Sequence, residues 1–378
     1  MRKMIQKKIG ILTFHYSTNF GGVLQSYALF RFLEQRVNGV EIIDYVPSTY
    51  IGHKFYRNIG LKNDFNVKHV LKRLMIKGKF CSRAVRRFDD FRAHSVVLSR
   101  RVDESTLRSW LNNYDMVVVG SDQVWSPGQR AEPAYFLGFE EFKGKRISYA
   151  ADSTTAMVEE EYFPKLRREL GKFDRISVRN EHSQEFVAAL TGQKPPVVVD
   201  PTLLWDFKEL VDEPWTTIEP YILVYVLGED IDGSNRKAIQ KIKQVYGDLK
   251  VYAVVIPTMK FNICDYADKV FYDLGPEDWL NMIRNAAFVY TDSFHGAIFS
   301  LKFHKPFLAY YSEEMRATRF IDVGKRYKIA KYIVTSVDEI DAKGSLLQPP
   351  DFKLVDHIIE EHRDSSVRFL REALEMES

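Results

Sequence analysis

Residues 288–310 read FVYTDSFHGAIFSLKFHKPFLAY. A short apolar run at 288–291 is followed by a polar turn at Asp292 and Ser293, a helical apolar stretch at 296–303 and a second apolar run at 307–310. Runs this short, without in-out alternation and joined by a helical period, predict a strand, helix, strand unit of a parallel sheet buried on both faces. The same alternation extends backwards: strands over 221–227 and 251–256, helices over 234–246 and 276–285. The second half of the chain is therefore expected to be Rossmann-like.

The first half repeats the pattern. Strands are predicted at 9–14, 40–45, 116–119, 147–150, 176–178 and 197–199, with helices at 23–36, 158–170 and 181–190. Between the halves, residues 200–220 carry Asp200-Pro201 and Glu219-Pro220 in irregular sequence, the expected linker. The predicted architecture is α/β with two Rossmann-like domains: 1–205, carrying a basic helical insertion at 54–101, then 206–350. Residues 351–378 form a C-terminal helix expected to pack back on the N-terminal domain.

At 378 residues, with 45% hydrophobic residues, 26 Phe and 20 Tyr, the chain has ample material for two cores, which excludes a disordered chain. Only Cys81 and Cys264 occur, with no CxxC or Cys/His cluster, so neither a disulfide framework nor a metal site is expected. A reducing cytoplasm fits. The basic start leads into an apolar run at 9–14 too brief for a signal peptide or membrane span, so a cytoplasmic protein is expected. The net charge is +3, but cations concentrate in the insertion, including Lys68, Lys72, Arg73, Lys79 and Arg83. With Val67, Val70, Leu71 and Leu74 at helical spacing, residues 67–93 read either as a solvated basic face or as a peripheral contact with anionic lipid at the inner face of the cell membrane. The basic residues are not interleaved with a nucleic-acid reading motif, so nucleic acid is not an expected partner.

In open α/β sheets ligands bind beyond the carboxyl ends of strands, which singles out four loops. The loop at 15–22 ends in Asn19, Gly21 and Gly22 and opens the helix containing Gln25; it serves either as a tight turn or as an acceptor site, with Asn19 and Gln25 bonding sugar hydroxyls. After the strand at 116–119 come Asp122 and Trp125, a carboxylate beside an aromatic platform for the same acceptor, or a capped turn over a buried ring. Arg179 ends a strand where a guanidinium can pair with a carboxylate or phosphate. His295, between Ser293 and Gly296, combines a strand end with a helix N-terminus, where an imidazole can exchange a proton beside a bound anion. Arg316 and Arg319 follow the next strand and add positive charge to the same cleft.

Together these stretches resemble the polysaccharide pyruvyl transferase family. The resemblance is carried by Asn19-Phe20-Gly21-Gly22-Val23-Leu24-Gln25, Gly120-Ser121-Asp122-Gln123-Val124-Trp125, Val178-Arg179-Asn180-Glu181-His182-Ser183, Asp200-Pro201-Thr202 and Ser293-Phe294-His295-Gly296, in that order. It implies a glycosyltransferase-B-like pair of domains, phosphoenolpyruvate as co-substrate, no cofactor or metal, and a hexose diol of a bacterial surface polysaccharide as acceptor. That acceptor is expected to be of galactose type, closed as a 4,6-ketal and free or polyprenyl-pyrophosphate-linked. It also implies His295 as the acid/base residue, with Arg179, Ser293, Gly296, Arg316 and Arg319 on the donor side. Some members read Arg-Leu-His where this chain has Ser293-Phe294-His295, and a lysine farther on in some members is missing near Met315, leaving Arg316 or Arg319 to supply that charge. Two other readings fit the residues: a nucleotide-sugar-dependent glycosyltransferase, and a non-catalytic partner in polysaccharide assembly.

Overall fold

The computed structural model describes residues 5–47, 67–130, 132–211, 219–259, 261–340 and 344–376. Residues 54–66 of the expected insertion and 212–218 of the expected linker lie outside the described residues.

The N-terminal half runs β1 (Ile5–Leu12), α1 (Phe20–Glu34), β2 (Val37–Ile42), α2 (Val67–Ser95), α3 (Glu104–Trp110), β3 (Met116–Val119), β4 (Lys145–Ser148), α4 (Phe163–Leu170) and α5 (Glu181–Thr191). Its four strands are parallel in the order β2-β1-β3-β4, with Ile9 opposite Val40 on one side and Met116 on the other. The segments expected as strands at 176–178 and 197–199 are attached only by single parallel bridges, Ala151 to Val178 and Val178 to Val197.

The C-terminal half runs β5 (Tyr221–Tyr225), α6 (Asn235–Tyr246), β6 (Lys250–Val254), β7 (Lys269–Phe271), α7 (Pro276–Asn285), β8 (Phe288–Thr291), α8 (Phe294–Lys302), β9 (Phe307–Tyr310), α9 (Glu314–Arg326), β10 (Ile333–Val334) and α10 (Phe352–Ala373). Its sheet is parallel, in the order β10-β9-β8-β5-β6-β7. In each sheet the chain starts centrally, winds outwards, then returns to wind the other way. The reversals lie between β1 and β3 and between β5 and β8, and a crevice opens beyond the strands at such a point. The loops after β1, β3 and β8 are three of those singled out in the sequence.

The halves share one apolar core. Phe20, the first residue of α1, stacks on Trp279 of α7 with centroids 5.2 Å apart and meets Tyr225 of β5. Thr18 and Thr258 join their hydroxyls across the seam. The helix α10 returns to the N-terminal half, where Ser366 Oγ accepts from the Val199 amide at 2.9 Å and Arg363 donates to the Leu204 carbonyl. Among the described residues no helix is long and apolar enough to cross a membrane.

The basic helix α2 is largely spent on packing. Ile76 enters the core of the C-terminal sheet, Phe80 stacks on Tyr272 at 5.0 Å, Phe88 lies on Phe20 and Phe91 on Tyr27. Arg83 pairs with Asp273 at 3.3 Å and Arg87 with Asp278. From Ile76 onward the helix therefore fastens the two halves together.

Candidate active site

His295 stands at the start of α8, with Ser293 as N-cap accepting from the Gly296 amide at 3.3 Å. A Cβ on Gly296 would fall 2.3 Å from Thr291 Oγ1, so only glycine lets the helix turn this close to the end of β8. Ser293 and Gly296, expected as donor contacts, thus set the pose of His295; Ser293 is itself buried. Opposite lies the N-terminal half: a Cβ on Gly21 would be 2.0 Å from His295 Nδ1, so the imidazole rests against the bare backbone of α1. Gly21 makes room for the histidine, a role different from the acceptor contact expected of it.

His295 Nε2 is buried 3.5 Å from Asp200 Oδ2 and has no hydrogen-bond partner among the described residues. A buried polar atom without a partner is costly, and such atoms concentrate where a ligand or reaction gives them one. Asp200 also accepts from Arg179 Nη1 at 2.9 Å, while Arg179 Nη2 donates to Asp152 at 2.6 Å and lies 3.6 Å from Asp122. Beneath the guanidinium, 4.7 Å away, is the ring of Phe294. Burial opposes ionisation of Asp200, yet His295 and Arg179 hold its carboxyl well below the usual carboxylate range. Burial likewise opposes ionisation of Asp152, where Arg179 and Arg319 prevail. The result is a buried row of ionisable side chains: Asp152, Arg179, Asp200, His295.

The expected donor-side arginines differ in what they have left to offer. Arg179 is already divided between two carboxylates. Arg316 is held by Asp292 at 2.8 Å and lies 3.5 Å from Glu313, with Asp292 also accepting from the Leu227 and Gly228 amides. Among the described residues no hydrogen bond or ion pair holds Arg319, whose Nε is buried without a partner; burial lowers its pKa from the ordinary arginine value. Arg179, Asn180, Asp200, Phe294, Arg319 and Asp322 line a cavity of about 10 Å³, room for roughly one water.

Two acceptor-side expectations are corrected outright. Trp125 is fully buried, packed between Phe136, Phe173 and Phe186, and donates its Nε1–H to the Tyr135 carbonyl; its face is not available to a sugar. Gln25 is fully buried and donates to Thr13 Oγ1 and the Gly22 carbonyl, bracing the loop from inside. Asn19 caps α1 by accepting from the Gly22 amide. Asp122 remains partly open, at positive φ, and closes over Gly22 and Arg179.

Asp152 and Asp200, which complete the charge row, were not among the expected site residues. Asp200 stood in the Asp200-Pro201-Thr202 stretch, and Asp152 follows the strand predicted at 147–150, so the strand-end rule reaches both. On the N-terminal side, His15, Tyr16, Thr18, Asp44, Arg92 and Arg101 line an open cavity of about 420 Å³ beside α2. His15 Nε2 lies 3.1 Å from Asp44 Oδ1, whose other oxygen accepts from Arg101 at 2.8 Å. A cavity of about 600 Å³ between α4, α5 and α10 is lined by none of the candidate residues.

Comparison with known families decides the kinship: a model of polysaccharide pyruvyl transferases matches residues 19–314. The chain belongs to that family. No curated protein sequence matches it. Solved structures are similar over nearly the whole chain at low identity. A Listeria monocytogenes protein assigned as a UDP-N-acetylglucosamine 2-epimerase has a TM-score of 0.55 at 13% identity, covering 98% of this chain and 97% of its own. Arabidopsis thaliana UGT89C1 complexed with quercetin gives 0.53 at 12%, covering 98% and 99%. The S. aureus MnaA–UDP structure gives 0.52 at 14%, covering 98% and 97%. At these identities the likeness speaks for the fold alone, and that fold is glycosyltransferase-B-like, with two Rossmann-like halves.

Proposed function

We propose that this polysaccharide pyruvyl transferase takes its pyruvyl group from phosphoenolpyruvate and closes it as a cyclic ketal on a hexose diol, of galactose type and 4,6-linked, in a bacterial surface polysaccharide or its lipid-linked precursor. The observation that carries the reading is the unpartnered Nε2 of His295, held between Gly21 and the ionised Asp200 at the seam of the two halves.

Phosphoenolpyruvate is an enol phosphate. A proton delivered by the His295 imidazolium to its methylene carbon makes the methyl group and leaves an oxocarbenium centre at the carbon bearing the phosphate oxygen. One sugar hydroxyl adds there and gives up its proton. Phosphate then leaves with its C–O bond electrons, and the second hydroxyl adds at the same carbon, losing its proton as the ketal closes. Asp200, a fixed negative charge 3.5 Å from Nε2, balances the imidazolium before transfer. Arg319, which makes no hydrogen bond or ion pair among the described residues, is the first candidate to hold the donor's carboxylate or phosphate, with Arg316 next. Because Gln25 and Trp125 are buried, the acceptor contacts are assigned instead to the cavity lined by Tyr16, Asp44 and Arg101, with Asp122 beside the donor. The reaction as written draws on no cofactor.

The test is to incubate the protein with phosphoenolpyruvate and a panel of galactosides, mannosides and glucosaminides. Mass spectrometry should show the mass gain of a pyruvyl ketal, matched one to one by released phosphate. No product on any acceptor, with a nucleotide sugar but not phosphoenolpyruvate raising Tm, would move the function to glycosyl transfer.

The glycine under the histidine supplies a sharper prediction. In Gly21→Ala the added methyl must push the imidazole aside, and displacement of about 1 Å costs on the order of 10²-fold in kcat. Phosphate release measures it; Gly22→Ala, whose Cβ would meet Ser17 Oγ at 3.0 Å and Asp122 at 3.3 Å, is expected to cost less.

A further inference from the structure

The first turns of α2 carry an apolar stripe that the fold does not use. At 100° per residue, the apolar side chains that α2 packs into the fold, buried Ile76, Ala84, Phe88 and Phe91 with half-buried Phe80, centre on one face. Val67, Leu71, Leu74 and Met75 fall roughly 140° around the helix from that face. They are 70%, 55%, 43% and 75% exposed. Nine large hydrophobic residues are exposed among the described residues, and four of them lie in this one nine-residue segment. Single exposed apolar residues need no explanation, but a clustered stripe does.

Charge says what the stripe faces. Lys68, Lys72 and Lys79 lie along one side of it, and no carboxylate occurs anywhere in residues 67–88. We propose that the start of α2, residues 67–75, docks on an anionic lipid bilayer, with Leu71, Leu74 and Met75 entering the headgroup boundary and the neighbouring lysines meeting lipid phosphates. The rest of α2 runs on between the two halves, packed on α1 and α7, so docking fixes the whole enzyme against the surface rather than a loose arm. The inference concerns a surface apart from the His295 cleft and stands whatever reaction occurs there.

The experiment is vesicle flotation of the full-length protein, with phosphatidylglycerol-containing or pure phosphatidylcholine vesicles. The wild type is expected to float with the anionic vesicles at low salt and to stay at the bottom with the neutral ones, releasing as salt screens the charges. The double variant Leu71→Glu/Met75→Glu should lose flotation by at least ~10-fold with unchanged Tm, because both side chains are exposed, and Lys72→Glu should weaken it less. Wild-type protein remaining at the bottom with anionic vesicles at low salt overturns the proposal. So does equal flotation of the double variant. A concentration-dependent dimer in sedimentation velocity that the double variant abolishes would assign the stripe to a second copy of the chain instead.

Discussion

Replacing His295 by alanine is expected to lower kcat for phosphate release by about 10²–10⁴-fold, the range that a positioned proton donor contributes. The same change should reduce stability by only about 1–3 kcal/mol, since it leaves the carboxylate of Asp200 with Arg179 but without its imidazole neighbour. His295→Gln separates the two effects. Its amide can present a donor to Asp200 and recover most of the lost stability, as read by urea unfolding, but it cannot pass a proton to carbon. Turnover should therefore stay at the alanine level while stability returns. A glutamine variant keeping more than about a tenth of wild-type kcat would mean that the proton comes from elsewhere and that His295 is a packing residue.

Asp200 fits the same scheme at one remove. It touches His295 and Arg179, and its ionised state depends on both. It is a positioning residue, and Asp200→Asn should change the pH dependence of kcat as well as its size, because the charge beside the imidazole is what the substitution removes.

How far the sequence led can be argued from particular stretches. The runs at 288–291 and 307–310 and the helix at 276–285 have the observed boundaries, because a strand buried on both faces is written as an uninterrupted apolar tetrad and a helix with Pro276 at its first turn announces its start. The helix predicted from residue 23 begins at Phe20, since Asn19 caps it and Gly21 and Gly22 are inside it. The edge strands β7 and β10 have only three and two residues, too few for a period to be read. The strand-end rule located Asp122, Arg179 and His295, and the fold brings them to the same seam. What the pattern cannot carry is which groups meet. Arg179 finds Asp152 and Asp200 from two other loops, and Trp125 is sealed by aromatic residues from separate segments. A tryptophan after a strand reads the same in sequence whether its face is open or covered.

The largest effect on stability is expected at Arg179. In Arg179→Met the side chain keeps its length and loses its charge, leaving Asp152 and Asp200 buried without the guanidinium that joined them. Breaking a buried ion pair by removing one partner typically costs about 3–5 kcal/mol, most of it the burden of the stranded charge. The pH dependence identifies that cause. In the wild type, burial pushes both carboxyls up, but Arg179 and its neighbours hold them below the usual range. Carboxyls depressed in this way stabilise the fold above the unfolded value, about 4, and lose that contribution as pH falls through the folded value. In the variant, burial meets less opposition, the carboxyls rise, and protonation relieves them as pH falls towards 4. The gap between variant and wild type should therefore be widest near pH 7 and narrow by at least ~1 kcal/mol on acidification to about pH 4.5, measured by urea unfolding at each pH. A gap independent of pH would trace the loss to packing over Phe294 rather than to the two carboxylates. Arg179→Lys should recover part of the stability at pH 7 but not all of it, because one ammonium cannot bond both acids from the position of the planar fork.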